Sequence, residues 1–204
     1  VRRRIANAIS ILSTVFAAGS LGAPFSMGPA EARANPAAVL VVGDSLAVGM
    51  KPYLADMLAD REVTFDSRAG WTTPQGMRAL RGALRQLTPH TVIFNLGTND
   101  GSNAGVFADR VRRTLRTVPH DTCVVWTAIS RARRKGAFTD LNRVLRRAAR
   151  RDVRVAVIPW DRMVRKGTVV LPDGIHPDQP GFAFRSYVTA AAVQRGCSDG
   201  VRRL

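Results

Sequence analysis

The chain has 204 residues, 46% of them hydrophobic and 23% charged, which suffices for one buried core and excludes a collagen, a coiled coil or a disordered tail as a description of the whole. Thirty-one Lys plus Arg against fifteen Asp plus Glu give a net charge of +16, and every cation except Lys51, Lys135 and Lys166 is an arginine. Two cysteines are too few for a disulfide-built miniprotein and belong to no Cys/His cluster, so zinc chemistry is not implied.

Arg2, Arg3 and Arg4 precede an uncharged, largely apolar run from Ile5 to Leu21 and then a Gly/Pro/Ser stretch. This is the layout of a secretory signal peptide over residues 1–34, with Ala32-Arg33-Ala34 as the small-x-small cleavage site and Ala30-Glu31-Ala32 as a second one. An uncleaved membrane anchor is the alternative, although Asn7, Ser10, Ser13 and Thr14 interrupt the run. Cleavage removes four cations and one anion, so residues 35–204 keep 27 against 14, a net +13. A secreted or envelope-associated basic domain is expected.

Beyond Ala38, short apolar runs alternate with helical patterns. Val39–Val42, Val63–Phe65, Val92–Leu96, Val124–Ile129 and Val155–Ile158 are apolar almost throughout and read as strands buried on both faces of a parallel sheet. Between them, Met77, Leu80, Leu84 and Leu87 form one helical stripe; Phe107, Val111, Leu115 and Val118 a second; Leu141, Val144, Leu145 and Ala148 a third, with Arg143, Arg147, Arg150 and Arg151 on its far side. A closing helix runs from about Phe182 to Arg195 and is stopped by Gly196. The pattern predicts a three-layer α/β/α sandwich with a five-stranded parallel sheet, in one domain over 35–204.

In such sheets chemistry collects beyond the carboxyl ends of the strands, where loops converge and helix N-termini point their free N–H groups. The first strand is followed there by Gly43-Asp44-Ser45-Leu46, the second by Ser67 to Trp71, the third by Gly97-Thr98-Asn99-Asp100, and the fifth, after a long loop, by Asp173-Gly174-Ile175-His176-Pro177. Together they are the parts of an acyl-transfer site. A serine hydroxyl becomes nucleophilic when an imidazole takes its proton, and the imidazole needs a carboxylate to fix its tautomer, roles that fit Ser45, His176 and Asp173. The Ser45 and Gly70 amides and the Asn99 side chain can serve as oxyanion donors, with Gly70 leaving the backbone open to a close approach. His90 and His120 precede strands, at the opposite end of the sheet; only His176 lies on a carboxyl-end loop.

Those four segments, in that order, resemble the sequence blocks of the SGNH (GDSL) hydrolases, and the resemblance spans about Val39 to Val193. It implies a flavodoxin-like topology, with Ser45 as nucleophile, His176 as base, Asp173 as its partner, and Ser45, Gly70 and Asn99 as the oxyanion hole. Asp44 resembles the family's structural aspartate beside the nucleophile. The implied activity is hydrolysis of carboxylic esters or thioesters through an acyl-enzyme, with no cofactor or metal.

The leading expectation is therefore a secreted serine esterase. The alternatives are a deacetylase or acyltransferase acting on cell-envelope polysaccharide, or an inactive protein that binds anionic surfaces. A lipid or an acylated envelope glycan is the expected partner, nucleic acid is not, and the protein is expected to be a monomer. Without room for a lid domain the crevice should be shallow. Trp71, beside Gly70, is a candidate wall of the substrate site, and equally a core aromatic. Arg131, Arg133, Arg134, Lys135, Arg162, Arg165 and Lys166, on carboxyl-end loops, are candidates for attracting an anionic substrate, or are simply solvated. Cys123 opens the fourth strand and Cys197 follows the last helix, so both fall at the amino end of the sheet, and an oxidising compartment would join them in a disulfide.

Overall fold

The computed structural model describes residues 37–200; the proposed signal peptide and its cleavage sites lie outside the described residues. In chain order the elements are β1 (Val39–Gly43), α1 (Ser45–Met57), β2 (Val63–Ser67), α2 (Thr73–Ala83), β3 (Thr91–Asn95) and α3 (Ala104–Thr117). There follow β4 (Cys123–Thr127), a 3-10 turn (Arg133–Lys135), α4 (Thr139–Arg151), β5 (Val155–Ile158), the short α5 (Trp160–Arg165) and α6 (Gln179–Gly200). The strands form one parallel sheet in the order β2-β1-β3-β4-β5, the flavodoxin-like order anticipated from the sequence.

The strand alternation divides the core into two halves. Leu40, Val42, Val92, Phe94, Val124 and Trp126 face α2, α3 and α4, where they meet Leu80, Phe107, Val111, Leu141 and Leu145. Val39, Val41, Ile93, Val125 and Ile158 point the other way and pack on Met50 and Leu54 of α1 and Ala190 and Val193 of α6. Trp126 fills the first half, edge-on to Phe94 with centroids 4.6 Å apart, and its indole N–H donates to the Leu96 carbonyl at 3.0 Å.

Two sequence expectations change. The strand β2 is half-buried at every position rather than buried on both faces: it is an edge strand with less helix cover than the opposite edge strand, β5, which is covered by α4 and α6 and stays largely buried. The fourth strand ends at Thr127, two residues short of Ile129, because beyond it Asn142 of α4 takes over the backbone pairing. Its amide oxygen accepts from Ile129 N at 2.7 Å and its amide nitrogen donates to Ile129 O at 2.8 Å. One buried side chain thus completes the sheet edge and fixes α4 against it.

At the other end of the sheet, Gly196 adopts φ 66°, which a residue with a Cβ rarely tolerates, and breaks the regular helix. The chain turns there and brings Cys197 to Cys123, with Cα atoms 5.5 Å apart, joined by the anticipated disulfide.

Candidate active site

The order of strands reverses direction between β1 and β3, and the loops leaving these two neighbours open a crevice at their carboxyl ends. Asp44 caps α1: its backbone is extended and its Oδ1 accepts from Leu46 N at 3.0 Å. Ser45 is the first residue of that helix, so its hydroxyl and amide sit at the positive end of the helix dipole. The hydroxyl Oγ lies 2.8 Å from His176 Nε2.

The Asp173–His176 segment is tied to itself. Asp173 Oδ1 accepts from the backbone N–H groups of Ile175 at 2.8 Å and His176 at 2.7 Å, while Oδ2 lies 2.7 Å from His176 Nδ1. The turn therefore sets the imidazole orientation before any substrate arrives. The hydrogen bond from the imidazole, and then those from the backbone amides, hold the Asp173 carboxyl well below the usual carboxylate range. A serine, an imidazole and a carboxylate thus form one continuous line, the arrangement that can draw the proton off a hydroxyl. The site is open: the His176 and Asp173 side chains are 38% and 49% exposed.

The three residues expected at an oxyanion hole follow β1, β2 and β3, which are neighbours in the sheet, at the same end as this line. Among the described residues, neither the Ser45 nor the Gly70 amide donates to a protein acceptor. Gly70 has φ 79° in an exposed turn closed by Trp71 N donating to Arg68 O, and an added Cβ there would meet nothing within 4 Å. Asn99 Nδ2 donates one hydrogen to Trp71 O at 3.1 Å, which leaves its second free. Trp71 is half-buried against the core half that contains α2 and links two of these loops through its carbonyl.

Two residues named from the sequence for other reasons support the crevice from behind. Arg131 is only 4% exposed, and its guanidinium donates to Thr98 O at 2.8 Å and Asp100 O at 2.5 Å, so it clamps the loop that carries Asn99. This removes Arg131 from the loop cations expected to meet an anionic substrate, and Arg165 is paired with Asp161 at 3.0 Å. Arg133, Arg134, Lys135, Arg162 and Lys166 are exposed as anticipated. Asp100 is also buried; it accepts from Thr73 N at 2.9 Å and pairs with Arg110 at 3.2 Å, which ties the same loop to α2 and α3.

Beneath Ser45 lies a second buried pair of charges. Arg185 of α6 stacks over the Trp160 ring, 4.4 Å from its centroid, and donates to Asn95 Oδ1 at 2.8 Å. Burial pushes the Asp44 carboxyl up to about 6, against the helix amide and the attraction of Arg185, and lowers the Arg185 guanidinium to about 10. Thr98 tempers the Asp44 charge without reaching hydrogen-bond geometry, and Oδ2 has no partner. His90 and His120 lie at the amino end, away from this site, with His90 Nδ1 accepting from Ala38 N at 3.3 Å. Among the described residues no three His, Cys, Asp or Glu side chains converge as a metal-binding group.

The sequence profile of the GDSL-like Lipase/Acylhydrolase family matches residues 41–184, well over half of the chain. The chain belongs to this family. No curated protein matches it by sequence. Among solved structures, this GDSL-like family member is similar to the C-terminal catalytic domain of the Streptococcus pneumoniae peptidoglycan O-acetyltransferase A, determined with a methylsulfonyl adduct, at TM-score 0.66 and 16% identity, covering 78% of this chain and 93% of that one. A lipase/acylhydrolase from Enterococcus faecalis gives TM-score 0.66 and 18% identity over 76% of this chain and 93% of that one. A carbohydrate esterase family 3 protein from Talaromyces cellulolyticus gives 0.63 and 16% over 78% and 96%. At these identities the likeness is one of fold, the SGNH hydrolase fold.

Proposed function

We propose that this family member is an exported serine esterase that works through an acyl-enzyme. The observation that carries the reading is the unbroken line from Ser45 Oγ to His176 Nε2, at 2.8 Å, and from His176 Nδ1 to Asp173 Oδ2, at 2.7 Å. Ser45 Oγ attacks the acyl carbonyl as His176 takes its proton, and the ionised Asp173 stabilises the imidazolium. The carbonyl oxygen becomes an oxyanion facing the Ser45 and Gly70 amides and the free hydrogen of Asn99. Collapse expels the alcohol, protonated by His176, and leaves the acyl group on Ser45. Water, deprotonated by the same imidazole, then releases the carboxylic acid and restores the hydroxyl.

The openness of the site favours short acyl groups and esters carried on a polymer, since nothing buries a long chain beside His176 and Asp173. The same openness supports a second reading, removal or transfer of acetyl groups on envelope polysaccharide. Export rests on residues 1–34 and predicts a mature chain that begins at Asn35. The deciding experiment uses chromogenic acyl esters of increasing length and acetylated glycans, with a serine-reactive phosphonate as label. Wild type should hydrolyse a short ester and take one label at Ser45, while Ser45→Ala and His176→Ala lose most of the activity. Labelling retained by Ser45→Ala, or no turnover of any ester or glycan, would overturn the reading; the second result would point to a binding protein.

A further inference from the structure

The helices α3 and α4 pack side by side, and the groove between them has a volume of about 720 Å³, within the range of roughly 300–1,000 Å³ typical of small-molecule sites. Its floor is apolar: Val111 and Leu115 from α3, Val144 and Ala148 from α4. Its two lips are cationic, with Arg112 and Arg116 on one side and Arg147 and Arg151 on the other, each pair one helical turn apart. The end of the groove is closed by His120, Asp152 and Arg154.

The charge of this groove is not used up by the fold. Arg112 is paired with Asp109, and Asp152 with Arg154 at 2.7 Å, the latter contact holding the Asp152 carboxyl below its ordinary range. Arg116, Arg147 and Arg151 make no ion pair among the described residues. Arg116 and Arg151 lie in last helical turns, where a cation complements the helix dipole. The dipole accounts for their position along the helices but not for cations on both lips of one apolar floor, nor for Arg147, a turn earlier. Helices α3 and α4 run antiparallel to the strands, so the groove descends toward the amino end of the sheet, away from Ser45.

We propose that this groove is a second, non-catalytic site for a single-chain carboxylate amphiphile, a fatty-acid anion. The acyl chain lies on Val111, Leu115, Val144 and Ala148, and the carboxylate is held by the forked guanidinium donors of the free arginines, whose planar geometry matches it. A hydrophilic polyanion would use the lips and leave the floor wet; a neutral lipid would use the floor and leave the lips unpaired. The groove alone makes the choice: its apolar floor takes one chain, and the planar guanidinium forks on its lips match a carboxylate, so the occupant need not be the acid released at Ser45, where the open site favours short acyl groups.

Calorimetry on full-length Ser45→Ala protein, which cannot turn over an ester by the proposed route, tests the groove apart from catalysis. The probes are decanoate below its micellar concentration, decanol with the charge removed, and acetate with the chain removed. Decanoate should bind one to one, and the other two at least about tenfold more weakly. Arg147→Glu with Arg151→Glu should weaken decanoate about tenfold or more, and so should Val144→Asp in the floor. Arg143→Glu with Arg150→Glu, the same charge change on the same helix outside the groove, should change it by less than about twofold. Equal losses in both double variants would mean attraction by net charge alone and would overturn the site, as would equal binding of acetate and decanoate, or binding unaffected by Val144→Asp. In the Ser45 background the groove variants should hydrolyse a short neutral ester like the wild type, so a failed esterase assay and a failed binding assay remain separate results.

Discussion

The disulfide offers the sharpest quantitative test of the fold. Replacing both cysteines (Cys123→Ala with Cys197→Ala) frees a loop with a sequence separation of 74 residues while removing little from the core, since the bond sits where β4 begins and α6 breaks. In the chain-entropy model a loop of that length contributes about 4.4 kcal/mol by restricting the unfolded chain. For a domain of this size that corresponds to a fall in Tm of roughly 9–18 °C. Because the bond lies at the amino end of the sheet and the Ser45–His176–Asp173 line at the carboxyl end, kcat on a short ester at 25 °C should stay within about twofold of wild type. Urea unfolding of the oxidised protein, the reduced protein and the double variant, each followed by circular dichroism, measures the difference. Reduced wild type and double variant should coincide. A loss below about 1 kcal/mol would show that the unfolded chain was never restricted as the loop length implies, and a collapse of kcat without unfolding would refute the separation of the two ends.

Asn99→Ala should fold like the wild type yet lose roughly 10²–10³ in kcat, the cost of one oxyanion donor, with KM little changed; unchanged turnover would remove Asn99 from the hole. Asp44→Asn keeps the oxygen that caps Leu46 but not the charge. A carboxyl raised from 3.8 to about 6 by burial opposes folding increasingly as pH climbs through that interval, so the variant should gain up to about 3 kcal/mol relative to wild type between pH 4 and pH 7. A difference that stays flat across this interval would show Asp44 to be solvated. Arg131→Met should cost about 2–4 kcal/mol by orphaning the Thr98 and Asp100 carbonyls, and should lower kcat more than it raises KM, since it loosens the loop that aims Asn99. An activity loss accompanied by no change in stability would contradict the clamp.

Sequence and structure are easiest to connect where chemistry and local backbone coincide. Asp173 and His176 are three residues apart, and the turn that binds Asp173 Oδ1 to two following amides is itself what orients the imidazole, so both are legible in one short segment. The strands were legible because burial on both faces leaves almost no polar residue in them, and the exception, β2, is the strand that is half-buried throughout and carries Thr64, Asp66 and Ser67. The buried roles not foreseen are those of Asn142, Arg185 and Arg131, the last expected as a loop cation, and the partners of these polar side chains are carbonyls or amides up to 90 positions away. A sequence pattern cannot distinguish such a side chain from a solvated one, since each of the three has one polar or charged and one apolar neighbour, as many surface residues do.

That distinction bears on how a chain this basic supports the exposed Ser45–His176–Asp173 line. A strand end stops pairing before its loop does, and every carbonyl left inside must find a donor. Here two of the donors are side chains: Asn142 continues the pairing of β4 and Arg131 gathers the carbonyls of the Gly97–Asp100 loop, while Arg185 donates to the side-chain oxygen of Asn95 at the end of β3. Arg131 and Arg185 both hold the stretch from Asn95 to Asp100, which carries Asn99. The arginines of this protein therefore include two physical kinds: Arg131 and Arg185, buried behind the crevice and bonded to the end of β3 and the loop that leaves it, and exposed ones such as Arg116, Arg147 and Arg151, which make no ion pair among the described residues and which the proposed second site would turn toward an anion.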